Sequence, residues 1–249
     1  FIGNVFQQFY NMVDAVVVGK FVGTKALAAV GSTGTIIFLI IGFLLGLTAG
    51  FTVLTAQKYG AGKMDEMRQT VGNALILTAL VSAVMTAVSM TGMHALLKFM
   101  HTPDDIFKDA YAYVMIICGG IFAQALYNIL ASILRALGNS KVPLYFLILS
   151  AMLNIVLDLV FVVVFRMSVQ GVGIATILSQ FISAVLITFC LMRTNECYRL
   201  KWSKVRFHKM LLIRIIQIGV PAGLQSVMYN IANIIIQSNV NLLGSNTMA

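Results

Sequence analysis

QQFYNMVDAVVVG, residues 7–19, sets a carboxylate, Asp14, in a run that otherwise reads like membrane interior. Gln7, Tyr10, Asn11 and Asp14 recur at i, i+3, i+4 and i+7, and Asn4 extends the row backwards. On a helix those positions share one face. Phe6, Phe9, Met12, Val13, Val16 and Val17 cover the remainder. The stretch therefore predicts an apolar helix with one wet stripe and an acid within it.

The rest of the chain reads the same way. Of its 249 residues, 59% are hydrophobic and only 10% charged, with a mean hydropathy of +0.93. A soluble domain carries about a quarter charged residues. A spanning helix needs roughly 20 apolar residues, and such runs fall near 1–22, 27–57, 71–97, 107–134, 143–165, 169–192 and from 211 onward. The predicted fold is all-α, a polytopic membrane helical bundle. The second run is over-long and holds Gly31, Gly34, Gly42, Gly46 and Gly50, which predicts tilt or a kink. The chain opens at Phe1 with no Met or basic segment ahead of the apolar run. We expect a fragment already inside its first helix, not a cleaved signal peptide. Cys118, Cys190 and Cys197 lack any pairing or metal spacing, so they read as small hydrophobes and predict neither a disulfide nor a zinc site.

The net charge of +9 lies in the connections between apolar runs, which points to orientation in a membrane and away from nucleic acid. KYGAGKMDEMRQ, RALGNSK and RTNECYRLKWSKVRFHK continuing to Arg214 hold 12 of the 17 Lys and Arg. KFVGTK, HALLKFMHTPDDIFK and FRMSVQG hold the other five. The basic set is expected on the cytoplasmic side, with the N-terminus, in a bacterial-type inner (plasma) membrane. Residues 193–210 read as a basic cytoplasmic linker, whose Trp202 and Phe207 suit contact with membrane lipids.

Residues 229–249, YNIANIIIQSNVNLLGSNTMA, echo residues 10–28, YNMVDAVVVGKFVGTKALA, with Asn233 standing where Asp14 stood. The echo begins after six spans and in the same orientation. Parallel six-helix repeats are a known transporter plan. Residues 1–192 then form one lobe with a truncated first helix, and 211–249 the truncated first helix of its twin, with Tyr229 and Asn233 facing the shared cavity.

Only Asp14 and Asp158, of eight acidic residues, lie well within apolar runs. An unpaired charge in hydrocarbon costs about 2.5–3.5 kcal/mol even on the lenient insertion scale, so such groups face a cavity or a partner. Ser150, Asn154 and Asp158 form a polar row at i, i+4 and i+8; Thr176, Gln180 and Ser183 form another, and Gln124 and Asn128 a third. These rows are expected to turn inward around a wet cavity, walled otherwise by adaptable Met and aromatic side chains. No Lys or Arg lies in the interior of these runs to neutralise the acids; Lys20, Lys108 and Arg214 sit near their ends. The missing counter-charge is a proton, a Na⁺ or a cationic substrate.

Several motifs together resemble the multidrug and toxic compound extrusion (MATE) family. They are Asp14 through Val18-Gly19 and Gly23 to Ala26-Leu27-Ala28-Ala29-Val30-Gly31; Ala56-Gln57 with Gly60-Ala61; and Leu134-Arg135-Ala136-Leu137-Gly138-Asn139-Ser140-Lys141-Val142-Pro143. Asn154 with Leu157-Asp158, Gly171-Val172-Gly173-Ile174-Ala175-Thr176 with Ser179-Gln180, and Gly219-Val220-Pro221-Ala222-Gly223-Leu224-Gln225 complete the ordered set. The resemblance implies a twelve-helix, two-lobe (6+6) secondary antiporter that expels organic, often cationic, compounds against H⁺ or Na⁺. It also implies a cation site at Asp14, Asp158, Asn154 and Thr176, which is where any Na⁺ would sit. Gln7, Tyr10, Asn11, Gln124, Asn128, Gln180, Tyr229 and Asn233 are candidate cavity-lining residues. We expect a monomer, no enzymatic activity and no cofactor beyond the coupling ion. The rivals are a lipid-linked oligosaccharide or peptidoglycan-precursor flippase of the same superfamily, for which cationic residues within the spans would be expected, and an intramembrane enzyme, for which the chain offers no HExxH or GxSxG motif.

Overall fold

A computed structural model describes residues 12–194 and 207–241, and no strand occurs among them. Helix is the form in which a lipid-facing backbone satisfies its own polar groups. Helix α1, residues 12–22, runs as α-helix over 12–17 and widens into a π segment, Val18–Val22. Then come α2 (Thr24–Gly60), α3 (Met64–Phe99), α4 (Asp104–Gly119), α5 (Ile121–Ala136) and α6 (Lys141–Leu159). Helix α6 widens at its end into a second π segment, Val160–Val164; α7 (Val169–Arg193) and α8 (Lys209–Asn241) complete the bundle.

Five of these helices are long and apolar enough to cross a membrane, and six if the bent pair α4–α5 counts as one span. The run at 107–134, expected as a single rod, is broken instead: α4 and α5 meet at Gly120 with a 49° bend. A side chain at Gly120 would overlap Ile177 of α7, so glycine there lets α7 press into the break. The second run is unbroken. Its glycines do not interrupt it, and α2 is one continuous helix of 37 residues, about 55 Å long.

Those glycines serve packing. A Cβ on Gly46 would stand 2.6 Å from the Ala222 carbonyl oxygen and 2.8 Å from Gly223 Cα, and one on Gly50 would strike Gly219. Helices α2 and α8 thus approach backbone to backbone, the small-residue contact typical of membrane helices. Three large apolar clusters hold the bundle. One joins α2, α3, α5, α7 and α8 around Phe51, Met67, Leu130 and Ile187; a second joins α2, α3 and α4 around Ile36, Leu44 and Met93. The third gathers Val17, Val18, Tyr113, Val162, Val169 and Val172 from α1, α4, α6 and α7. At the start of α8, the His208 N–H donates to Asn73 Oδ1 of α3 at 2.9 Å. Most of the 193–210 linker, Trp202 included, lies outside the described residues; Phe207 is exposed.

Candidate functional site

Helix α6 shows why its polar row turns inward. Ser150, Ala151, Asn154 and Asp158 are buried, whereas Met152, Val156 and Leu159 on other faces are exposed, as a lipid-facing surface would be. The buried row meets α1 and α7. Asp14 is 8% exposed, Asp158 and Asn154 are fully buried, and Thr176 is buried beside them. The four residues predicted as a cation site therefore converge from three helices.

Asn154 organises the cluster. With its amide nitrogen toward the acids, the orientation that avoids oxygen facing oxygen, it donates to Asp14 Oδ1 at 2.7 Å and to Asp158 Oδ2 at 3.3 Å. The other end of the amide lies 3.5 Å from Thr176 Oγ1, whose hydroxyl donates to the Val172 carbonyl at 2.9 Å. The two carboxyls also lie within hydrogen-bonding reach of each other. An ionised carboxylate only accepts, so this contact calls for a proton or a cation between the pair. Asp158 Oδ1 is buried with no partner among the described residues, which leaves one acceptor over. The donor set is hard and oxygen-rich, suited to H⁺ or Na⁺. Among the described residues, no group of three or more His, Cys, Asp or Glu could hold a metal ion.

Asp14 also faces a cavity of about 490 Å³, lined by α1, α2, α4, α5, α7 and α8. Thr176, Gln124 and Tyr229 line it as predicted, together with Val30, Ile37, Phe38, Ile41 and Leu45. Among the described residues no Lys or Arg lines it, and its aromatic side chains are Phe38, Tyr113 and Tyr229. The expected methionines are not among the described lining residues. Asn154 and Asp158 lie behind Asp14 and Thr176 and do not line the cavity themselves. Gln180 lines a much smaller adjoining space at the α4–α5 break, shared with Gln124 and Thr176, and its Oε1 has no partner among the described residues. Gln7, Tyr10 and Asn11 lie outside the described residues.

Two candidates lie away from the described cavity lining. Asn233, placed by the echo opposite Asp14, is exposed and does not line the cavity; Asn230, nearly one turn earlier, does. The helical rotation set by the α2–α8 glycine contact decides this, and Asn230 packs over Gly42. Asn128 is half-buried on α5, one turn beyond Gln124 on the same face, and does not line the cavity. Tyr113 and Asn230 were missed. Tyr113 is buried and in electrostatic range of both acids; as one of three tyrosines in its apolar run, with Tyr111 and Tyr127, it carried no distinguishing signal. Asn230 was signalled by the Tyr-Asn pair that opens the echo.

Known proteins give the same picture. A family model described as MatE matches residues 1–160. The chain is 29% identical over its whole length to the probable multidrug resistance protein YoeA of Bacillus subtilis, and 30% identical to YpnP of the same organism, covering 55% of each. A solved structure described as the inward-facing conformation of a multidrug resistance MATE family transporter of the MOP superfamily superposes with a TM-score of 0.88 at 25% identity. That match covers 97% of this chain and 55% of the other. The chain thus spans about half the length of the relatives it matches.

Proposed function

Because the chain belongs to the MatE family and is a multi-pass membrane protein, we propose that its full-length protein is a secondary active efflux antiporter. It exports organic, often cationic, compounds in exchange for H⁺ or Na⁺ by alternating access, as a monomer with its basic connections in the cytoplasm. The observation that carries this reading is the buried pair Asp14–Asp158, bridged by Asn154 and open through Asp14 to the 490 Å³ cavity.

In this reading an organic cation enters the cavity against Asp14 and the aromatic walls of Phe38, Tyr113 and Tyr229. Coupling-ion binding at Asp14 and Asp158 neutralises the charge that holds the cation, so the two compete. A ligand shifts a conformational equilibrium only through its differential affinity for the two states, and the acid pair supplies that difference by its charge. Na⁺ accepts oxygen ligands only; to join its shell, Asn154 would present its carbonyl oxygen rather than its nitrogen. A proton leaves the amide donating as it does here. A described lining without Lys or Arg favours cationic cargo over a pyrophosphate-linked lipid.

The test uses vesicles bearing the full-length protein. Exchange of a fluorescent organic cation against a pH or Na⁺ gradient is expected, and Asp158→Asn should abolish it at an unchanged melting temperature. Full exchange in that variant would end the coupling reading. Inactivity of the wild type with every cation tried, alongside movement of a lipid-linked sugar, would establish the flippase instead.

A further inference from the structure

The end of the bundle that carries the α1–α2 and α6–α7 links holds a second cavity, of about 420 Å³, whose lining shares no residue with the central one. Its walls are Phe21 and Val22 from the π segment of α1, Val162 and Val163 from that of α6, and Met167. Arg166 and Ser168, both exposed, complete it. The volume lies within the range of roughly 300–1,000 Å³ usual for small-ligand sites.

The charge around this groove is unbalanced. Arg166 forms no ion pair with any described acid, and neither does Lys20, which stands 5.8 Å from the Phe21 ring. Nearby Lys25 differs, being paired with Asp105 at 3.4 Å. Arg166 also holds a φ of 53°, a left-handed conformation that side chains other than glycine rarely adopt. This end of the bundle holds only five of the 17 Lys and Arg. Two cations without a described acid, flanking one apolar groove there, match an occupant with a negative head and an apolar body.

We propose that this groove binds an anionic phospholipid. Its phosphate sits on the Arg166 guanidinium, a planar fork of donors suited to phosphate oxygens, with Lys20 and the Ser168 hydroxyl beside it. One acyl chain lies along Phe21, Val22, Val162 and Val163. A free phosphate has no body to set against those four side chains, and a zwitterionic lipid brings its own cation to compete with Arg166. The site lies apart from the acid pair, so it stands or falls independently of the transport reading.

Native mass spectrometry of the full-length protein tests this. The protein is released from detergent with equal amounts of phosphatidylglycerol and phosphatidylcholine of identical chains. Wild type should retain phosphatidylglycerol in preference. Arg166→Gln should cut that retention about fivefold, the effect of one cation at a membrane surface, with phosphatidylcholine unchanged; Arg166→Lys should restore most of it. Val163→Trp, which fills the groove, should lower retention of both lipids. Should Arg166→Gln fail to fold, Lys20→Gln carries the test, with a smaller drop expected. Equal phosphatidylglycerol retention in wild type and whichever cation variant folds would overturn the proposal. So would displacement of the lipid by inorganic phosphate, which would mark a site for a soluble anion.

Discussion

Gly46→Ala is the sharpest probe of how α2 and α8 are joined. The new methyl carbon would stand 2.8 Å from Gly223 Cα and 2.6 Å from the Ala222 carbonyl oxygen, both backbone atoms with no rotamer to yield. Comfortable carbon contacts begin near 3.5 Å, so α8 must retreat locally by about 0.7 Å. Overpacking of this kind costs about 1–3 kcal/mol. Helix propensity returns up to about 1 kcal/mol when glycine becomes alanine, leaving a net loss of about 0–2 kcal/mol. Gly92→Ala on α3 is the internal control, because a Cβ there meets nothing within 4 Å. It keeps the propensity gain and loses nothing. Denaturation of the full-length protein in mixed micelles should therefore move the two midpoints in opposite directions, Gly46→Ala down and Gly92→Ala level or up. A second readout lies farther along the same helix pair, where Thr35 Oγ1 and Gln237 Oε1 are 3.5 Å apart. Cysteines at those two positions should cross-link less readily in the Gly46→Ala background. Unchanged cross-linking together with a midpoint at or above that of Gly92→Ala would refute the close backbone approach.

Two asparagines give further expected outcomes. Asn154→Leu keeps the volume but removes the amide that donates to Asp14 and Asp158; it should lower stability by about 1–3 kcal/mol, the cost of stranding buried polar groups, and weaken cation-driven exchange in vesicles, whereas wild-type exchange would contradict the bridging role. Asn73→Ala leaves the His208 N–H without its acceptor and should cost about 1 kcal/mol in the same denaturation assay, with exchange at substrate saturation retained; a larger loss of exchange than of stability would tie the start of α8 to the transport cycle.

The helical fold and the acid cluster were legible in the sequence for one reason, the expense of polarity in lipid. Asp14 and Asp158 stand out as the two acids within apolar runs; that Asn154 and Thr176 join them was implied by the family resemblance. Features that depended on helix rotation or on missing side chains were harder to read. Asn233 aligned with Asp14 along the chain, yet backbone contact through Gly46 and Gly50 turns Asn230 to the cavity instead. That the same glycines seat α8 was equally hidden, because a glycine read without its neighbour says only that the backbone is free to bend. The break at Gly120 was hidden within a continuous apolar run; its cause is Ile177, which lies 57 residues away in sequence.

The geometry of the acid pair depends on the turn of helix just beyond each acid. Asp14 is succeeded by the π segment Val18–Val22, and Asp158 by Val160–Val164. These wide turns touch each other, and Val18 and Val162 share one apolar cluster with Tyr113, Val169 and Val172. Because π turns are uncommon and recur at functional sites, two of them beside two buried acids make a clamp whose packing holds the carboxyls in contact. Two unit charges at about 4 Å repel by roughly 4 kcal/mol at an effective dielectric of 20. Moving a two-state equilibrium from 1:99 to 99:1 takes about 5.5 kcal/mol. In the proposed antiport, one proton or one Na⁺ between Asp14 and Asp158 would carry most of the free energy needed to decide whether α1 and α6 stay clamped. No long-range relay is required, since the charge and the packing it opposes lie on the same two helices.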